Sequence, residues 1–465
     1  MLAFCLLTAA SQLHAENSLN EVEVKEHQDG ETRLPDSASE GAVSGETYQS
    51  RPRLRPGDVV ETIPGVVATQ HSGDGKANQY FLRGFNLDHG TDFSVRLDGM
   101  PLNMPTHAHG QGYADLNFLI PELVANVSYR KGPYSIEAGD FSLAGSATLD
   151  YLRVLQRPFA EVTLGPNQYR RALVAGSVTD EDRNWLLALE RVRNDGPWTV
   201  PEDLQKSNVV LRRSQGTALN GWQVTAMAYE SRWNSTDQIP QRTIDQGLLS
   251  RFGSLDPSDG GQARRSSLSA QWVGTEGTRQ TRWNAYAVDS DFKLWSNFTF
   301  NLNHPISGDQ FAQSDRRRIY GLEGSQVLGN QLAGVEGMLN LNAGWRGDRI
   351  NEVGLFLTQA RVTDSTVRQD RVNQDTIWLG AQQMLIFNPQ WRAYLGLRAD
   401  ALSYRVDGLE PVYGAANSGQ GQDALWQPKA GLTWSAAAQP ESLPLAGPPP
   451  YPPPFTRLTR TLAPT

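Results

Sequence analysis

Four of the chain's seven histidines, His71, His89, His107 and His109, fall within residues 57–145, and two of them stand in the run HAHGQG, His107 to Gly112. Imidazoles two apart in an extended loop point to the same side, and imidazole nitrogen suits zinc, copper and nickel. A metal site needs three or four converging ligands. The four histidines are therefore read as contacts to a metal ion or metal chelate, against the plain alternative of polar loop residues that hold turns. No cysteine or methionine cluster adds softer donors, since the chain has one Cys and 6 Met. His107 and His109 with Asp88 or Asp98 can be drawn as a hydrolase centre, but no acidic residue falls at HExxH spacing and no GxSxG elbow exists. A metal-dependent surface enzyme using these histidines is a remote alternative, and the expectation is no enzyme and no resident cofactor.

The residues that must position this loop are turn formers. They occur in four signatures: GDVVETIPGV (Gly57 to Val66), FLRGFN (Phe81 to Asn86), VRLDGMP (Val95 to Pro101) and ELVANVSYRKGP (Glu122 to Pro133). Arg55 to Ile63 reads as a short amphipathic helix stopped by Pro64-Gly65. Arg83-Gly84, Asp98-Gly99 and Gly132-Pro133 read as tight turns between short strands, giving a mixed α/β region. Its glycines are taken as backbone geometry, because neither GxxxxGK[ST] nor GxGxxG is present.

After Tyr151 the pattern changes to strict alternation. Leu339, Leu341, Ala343 and Trp345 share one face, with Asn340, Asn342, Gly344 and Arg346 on the other. Ala393, Leu395, Leu397 and Ala399 likewise stand opposite Arg392, Tyr394, Arg398 and Asp400, and Trp222, Val224, Ala226 and Ala228 repeat the pattern, as do Leu268, Ala270 and Trp272. An apolar face bounded by tryptophan and backed by charge suits lipid outside and a polar lumen inside; a soluble antiparallel sandwich would put the same apolar face into a core. About twelve candidate strands follow residue 158, and from the third onward short and long connections alternate. Gln215 to Asn220, Thr275 to Gln280 and Asn388 to Gln390 are short; Arg232 to Arg264, Asn297 to Arg316 and Asp407 to Leu425 are long. The first long one carries Asp237, Arg242, Asp245 and Arg251 and has the polarity for first ligand contact. No run of about 18 apolar residues follows the N-terminus, which excludes a helical span and leaves a barrel open. The net charge of -8 argues against a nucleic-acid partner.

In order and over about ninety residues, the four signatures resemble the plug domain of TonB-dependent outer-membrane receptors. Lys131 departs from the pattern, standing where the family usually has Arg before Gly-Pro, which keeps the charge and loses the guanidinium fork. The resemblance singles out Arg83, Gly84, Asp98, Gly99, Arg130, Lys131, Gly132 and Pro133. It implies an α+β plug at 51–155 and an antiparallel transmembrane β-barrel at 156–437, incomplete because plugged transporters need about 22 strands. It also implies an outer-membrane location, lipid and small-molecule or metal-chelate partners, and uptake of a scarce nutrient such as a ferric siderophore or another metal complex. A flexible segment at 16–50 precedes the plug. Within it Leu19, Asn20, Glu21, Val22, Glu23 and Val24 resemble a TonB box, which could pair as an edge strand with the TonB energy-transducing protein.

The chain ends have their own readings. Residues 1–15 look like a signal peptide without its basic front, so that the start is expected upstream or misassigned, and Cys5 lies inside it. Residues 438–465 turn proline-rich and read as an aberrant tail on a truncated receptor, for which a nonfunctional remnant is the alternative.

Overall fold

Alternating patterns put one face of an extended chain against a partner surface, and most of this sequence is strand for that reason. The computed structural model describes residues 37, 39–49, 51, 55–70, 73–299, 302–306 and 308–435. The signal-like segment, the TonB-box-like residues Leu19 to Val24, His71 and the proline-rich tail lie outside the described residues.

The first part of the chain contributes β1 (Glu40–Ser44), β2 (Val66–Thr69), β3 (Gln79–Leu82), β4 (Phe85–Asn86), β5 (Phe93–Leu97), β6 (Met100–Pro101), β7 (Val124–Lys131) and β8 (Gly145–Tyr151). Five of them form one sheet in the order β1-β7-β8-β5-β6, and β2-β3-β4 form a second. β5 and β8 run parallel, and the other neighbours antiparallel. Arg83-Gly84 joins β3 to β4 and Asp98-Gly99 joins β5 to β6; positive φ at all four residues gives the hairpin geometry their sequence signals. Arg55 to Ile63 is not an α-helix but a tighter 3-10 turn over Pro56–Thr62, with Gly65 just beyond at φ 87. Seven residues with proline at the start favour that short, tight form. Val59, Val60, Ile63, Tyr80, Phe93, Leu97, Leu119, Ile120 and Leu149 close the core between the sheets.

Twelve strands follow, matching the number read from the sequence. They are β9 (Phe159–Leu164), β10 (Arg170–Asp180), β11 (Arg183–Asn194), β12 (Leu204–Gly216), β13 (Gly221–Asn234) and β14 (Gly260–Glu276). β15 (Arg279–Ser296), β16 (Phe311–Leu332), β17 (Val335–Gln359), β18 (Val362–Ile386), β19 (Trp391–Gly408) and β20 (Gly419–Trp434) complete the sheet. Each pairs antiparallel with its sequence neighbour. The strands run further than the pattern suggested, so the long connections contract to 235–259, 297–310 and 409–418. The alternation of short and long fails once: β17 and β18 are joined on the long side by Ala360 and Arg361 alone, both at positive φ in a two-residue hairpin. Arg361 still serves that end of the sheet, donating from Nε to Ser258 O at 2.6 Å and from Nη2 to Asn234 Oδ1 at 2.8 Å.

The two faces of this sheet are inverted relative to a water-soluble protein. Arg212 and Arg317 are fully buried on the inner face with Glu190, Asp315 and Asp348, while Leu268 is 53% and Leu395 70% exposed on the outer face. A soluble sandwich buries its apolar face, so that alternative does not describe this sheet. Trp222, Trp272 and Trp283 lie in lateral register close to the short turns, and Trp391 pairs with Trp434 at the same side of the sheet. That is the place of an interfacial aromatic girdle. Among the described residues no helix is long and apolar enough to cross a membrane.

Candidate functional site

The HAHGQG run forms a loop whose base is closed by a bridge between Met104 and Tyr113. Asn103 ties this loop to the segment carrying His89. Its Nδ2 donates to Gly90 O at 2.9 Å, Phe93 O at 2.9 Å and Gly112 O at 3.2 Å, while its Oδ1 accepts from Val95 N at 2.7 Å. The two segments approach so closely that a Cβ on Gly90 would stand 2.8 Å from Gly112 O, and Gly90 also holds φ 124. Glycine is needed there on both counts.

The inner wall of the sheet grips the same loop through its backbone. Arg317 donates to Pro105 O at 2.7 Å and Thr106 O at 3.0 Å, Arg346 to Asn103 O at 2.9 Å, and Gln313 Nε2 to Ala108 O at 2.8 Å. Gln313 and Phe292, whose ring centroid lies 5.3 Å from that of His107, stand near the ends of β16 and β15 that lead into the long connection 297–310, so the histidine loop lies on the long-loop side.

The histidines do not meet as their spacing suggests. His107 stacks on Tyr113, ring centroids 4.2 Å apart at 5°, and its Nδ1 accepts from His109 N at 3.2 Å. Tertiary packing instead brings His109 to His89, twenty residues earlier, with the two Nε2 atoms 3.2 Å apart. Asp88 Oδ1 lies 3.7 Å from His89 Nε2. All three rings are held below the ordinary imidazole range, His109 at about 2, by burial first; His89 next depresses His109, and Arg317 next depresses His107. They are therefore neutral near pH 7. No group of three or more His, Cys, Asp or Glu among the described residues is placed to hold a metal ion.

The turn residues singled out by the motif resolve into different roles. Asp98, expected as a turn former, is also an anchor: buried Arg212 of β12 donates to its Oδ2, and Gln223 Nε2 and Tyr151 N approach its Oδ1 at 3.3 and 3.2 Å. Gly99 packs against the Asn284 side chain. Arg83 and Gly84 form an exposed turn. Arg130, not Lys131, engages carboxylates, donating to Glu40 at 3.1 Å and also to Glu137. Lys131 lies over the Tyr129 ring at 5.4 Å, Gly132 holds φ 85, and Pro133 O accepts from Lys429 Nζ at 2.6 Å. The pattern did not reveal Glu122, whose two oxygens accept from Arg171 of β10 at 2.8 Å each. Its only sequence signal is a carboxylate at the head of the ELVANVSYRKGP signature.

Of the loop residues proposed for first contact, Asp237 is buried, and Arg242, Asp245 and Arg251 are exposed. A second loop, 195–203, reaches inward: Glu202 Oε1 accepts from Trp198 Nε1 at 2.7 Å and Asp74 N at 3.2 Å. Burial first and the Asp74 charge next raise Glu202 to about 7. A carboxyl raised in the folded state stabilises fully below its unfolded value near 4.5 and loses that contribution as pH rises through about 7. Glu202→Gln is therefore expected to flatten the fall in Tm between pH 5 and pH 8, and an unchanged slope would remove Glu202 from that role.

Residues 33–146 match the family model described as TonB-dependent Receptor Plug Domain. Among solved structures, the chain is similar to the ferric citrate transporter FecA in its unliganded form, with TM-score 0.68 and 13% identity, covering 86% of this chain and 60% of that one. It is similar to the copper transporter OprC, with TM-score 0.64 and 15% identity, over 88% of this chain and 62% of that one. A third is the closed form of the ferric-catecholate import receptor Fiu from E. coli K12, with TM-score 0.66 and 13% identity, over 86% and 64%. At such identity the likeness is one of fold. The chain spans less than two thirds of each of these receptors, so its sheet corresponds to part of their barrels.

Proposed function

We propose, from the match of residues 33–146 to the TonB-dependent receptor plug domain, that the chain serves as an outer-membrane receptor for energy-dependent uptake of a scarce nutrient, most simply a metal complex such as a ferric siderophore. The carrying observation is the inverted sheet. Its outer face is apolar and its inner face holds charged residues that grip the plug, an arrangement that is stable with lipid outside and a polar lumen within. The similar structures named above are a ferric citrate transporter, a copper transporter and a ferric-catecholate import receptor, which supports the substrate class.

In this reading, ligand arrives from the long-loop side and meets the histidine loop at the head of the plug. The TonB-box-like residues Leu19 to Val24 are then engaged by TonB as an added strand, and tension on that strand displaces the plug. Val22→Pro and Val24→Pro each remove a backbone donor and fix φ. Each is expected to bring cellular accumulation of the labelled metal complex down to that of cells without TonB, with the receptor still present in the membrane. Accumulation unchanged in both variants would overturn the proposal.

A further inference from the structure

We propose that the cleft between the plug and strands β10 to β13 of the wall is a binding site for a small monocarboxylate, held by the Lys206 ammonium and the hydroxyls of Tyr229 and Ser231. This goes beyond the uptake reading and does not depend on it.

Strand register puts the three groups together. β12 and β13 pair Lys206 directly with Ser231, and Tyr229 lies two positions away on the same inner face of β13. Directly opposed side chains stand about 5 Å apart at Cβ, and alternate residues of one strand about 7 Å apart. All three line a narrow cleft of about 610 Å³, its open mouth included, whose other wall is the plug. Arg55, Gln70 and Tyr169 of the lining are half-buried, whereas Lys206, Tyr229 and Ser231 are buried. Beside them the Gly75 backbone packs so close to the Trp233 ring that no Cβ would fit, and its φ of 94 suits glycine.

The carboxylates that line the cleft are spent, and its donors are not. Glu190 Oε1 accepts from Arg171 Nε at 2.7 Å and its Oε2 from Asn208 Nδ2 at 2.6 Å. Asp74 accepts from Gln70 at one oxygen and from Asn194 Nδ2 at 2.9 Å at the other. Lys206 Nζ carries three hydrogens and has, among the described residues, one contact, to Glu190 Oε2 at 3.3 Å. The hydroxyls of Tyr229 and Ser231 bond to nothing beyond each other. Such a pair uses one hydrogen internally and leaves one to give. Buried donors left unmet are costly, and an arriving carboxylate removes that cost with charge-assisted bonds.

Charge sets the class of ligand. Arg55, Arg171 and Lys206 line the cleft against Asp74 and Glu190, which leaves one positive charge in excess. That excess suits a monoanion better than a phosphate dianion. Arg55 is taken by Asp58 at 2.7 Å, and Arg171 by Glu122 and Glu190, so Lys206 is the cation with hydrogens to spare.

The test uses the full chain purified in detergent, with trifluoroacetate as the probe and its fluorine line width as the readout. Wild type is expected to broaden the line, and acetate to narrow it again by competition. Lys206→Met is expected to weaken binding about 10-fold or more, and Tyr229→Phe with Ser231→Ala about 5-fold, the order of the hydrogen bonds removed. Arg264→Met, an exposed residue on the outer face, leaves binding unchanged. Near-ultraviolet circular dichroism confirms that each variant is folded; the nearly isosteric Tyr229→Phe/Ser231→Ala variant carries the test by itself if Lys206→Met does not fold. A line indifferent to the protein or to acetate overturns the inference, as does equal affinity in wild type and the Tyr229→Phe/Ser231→Ala variant. Phosphate competing as strongly as acetate overturns the monocarboxylate assignment. No outcome here touches the uptake reading, which stands or falls on Val22→Pro and Val24→Pro.

Discussion

Arg212→Met is expected to destabilise the seating of the plug by about 3–5 kcal/mol, the usual cost of leaving one member of a buried ion pair without its partner. Arg212 is fully buried and donates to the Asp98 carboxylate, to Tyr151 O at 2.8 Å, to Leu152 O at 3.1 Å and to Thr225 Oγ1 at 3.0 Å. Methionine fills much of the same volume but satisfies none of these oxygens. The measurement is urea-induced release of the plug, followed by the protease sensitivity of residues 55–151 in the otherwise folded chain. The double variant Arg212→Met/Asp98→Asn is expected to recover a large part of the loss, because asparagine is neutral and tolerates the φ of 49 at that turn. A double variant no more stable than the single one would assign the cost to geometry rather than to the stranded charge.

The second large effect distinguishes lipid from water at the outer face. Leu268 stands midway along β14, 53% exposed, and pairs laterally with Ala226 and Ala287. On a water-facing surface Leu268→Arg changes stability by no more than about 0.5 kcal/mol. Facing the middle of a bilayer it costs about 2–4 kcal/mol. Adding Leu211→Arg, another exposed residue next to the same Ala226, is expected to compound the loss until little chain folds into vesicles, as read by gel mobility with and without heating. Folding of the double variant at wild-type yield would exclude lipid contact there.

The sequence shows the elements more clearly than their meetings. Strict period two revealed the twelve strands, because an alternating segment has one face to bury whatever its partner. The paired turn residues at Arg83-Gly84 and Asp98-Gly99 were legible for a local reason: they occupy positive φ, which most side chains avoid. What stayed hidden depends on residues distant in the chain. Asp98 and Arg212 are separated by 114 positions and Glu122 and Arg171 by 49, and nothing local marks them as pairs. The histidine site shows the same division. Spacing pointed to His107 with His109, but the Tyr113 ring takes His107 and the fold delivers His89 instead. The seven-residue turn at Pro56 was misread because amphipathic spacing does not separate a short α-helix from a 3-10 turn.

If the plug is pulled from its N-terminal side, as the proposed uptake requires, β1 gives it a defined order of yielding. Tension entering at Glu40 from the N-terminal side loads a five-residue ladder to β7, with β1 at the very margin of its sheet. Behind it, the Glu122–Arg171 and Asp98–Arg212 pairs bolt the plug to the wall. The ladder is the fuse and the ion pairs are the bolts. Peeling β1 adds almost no slack, since a strand is already extended; the next give is the single helical turn Gly45–Gln49, which lengthens by about 9 Å when drawn straight. Under the uptake reading proposed above, a pull applied at Glu40 therefore draws out Glu40–Gln49 before it strains the bolts, which separates taking hold of the plug from dislodging it.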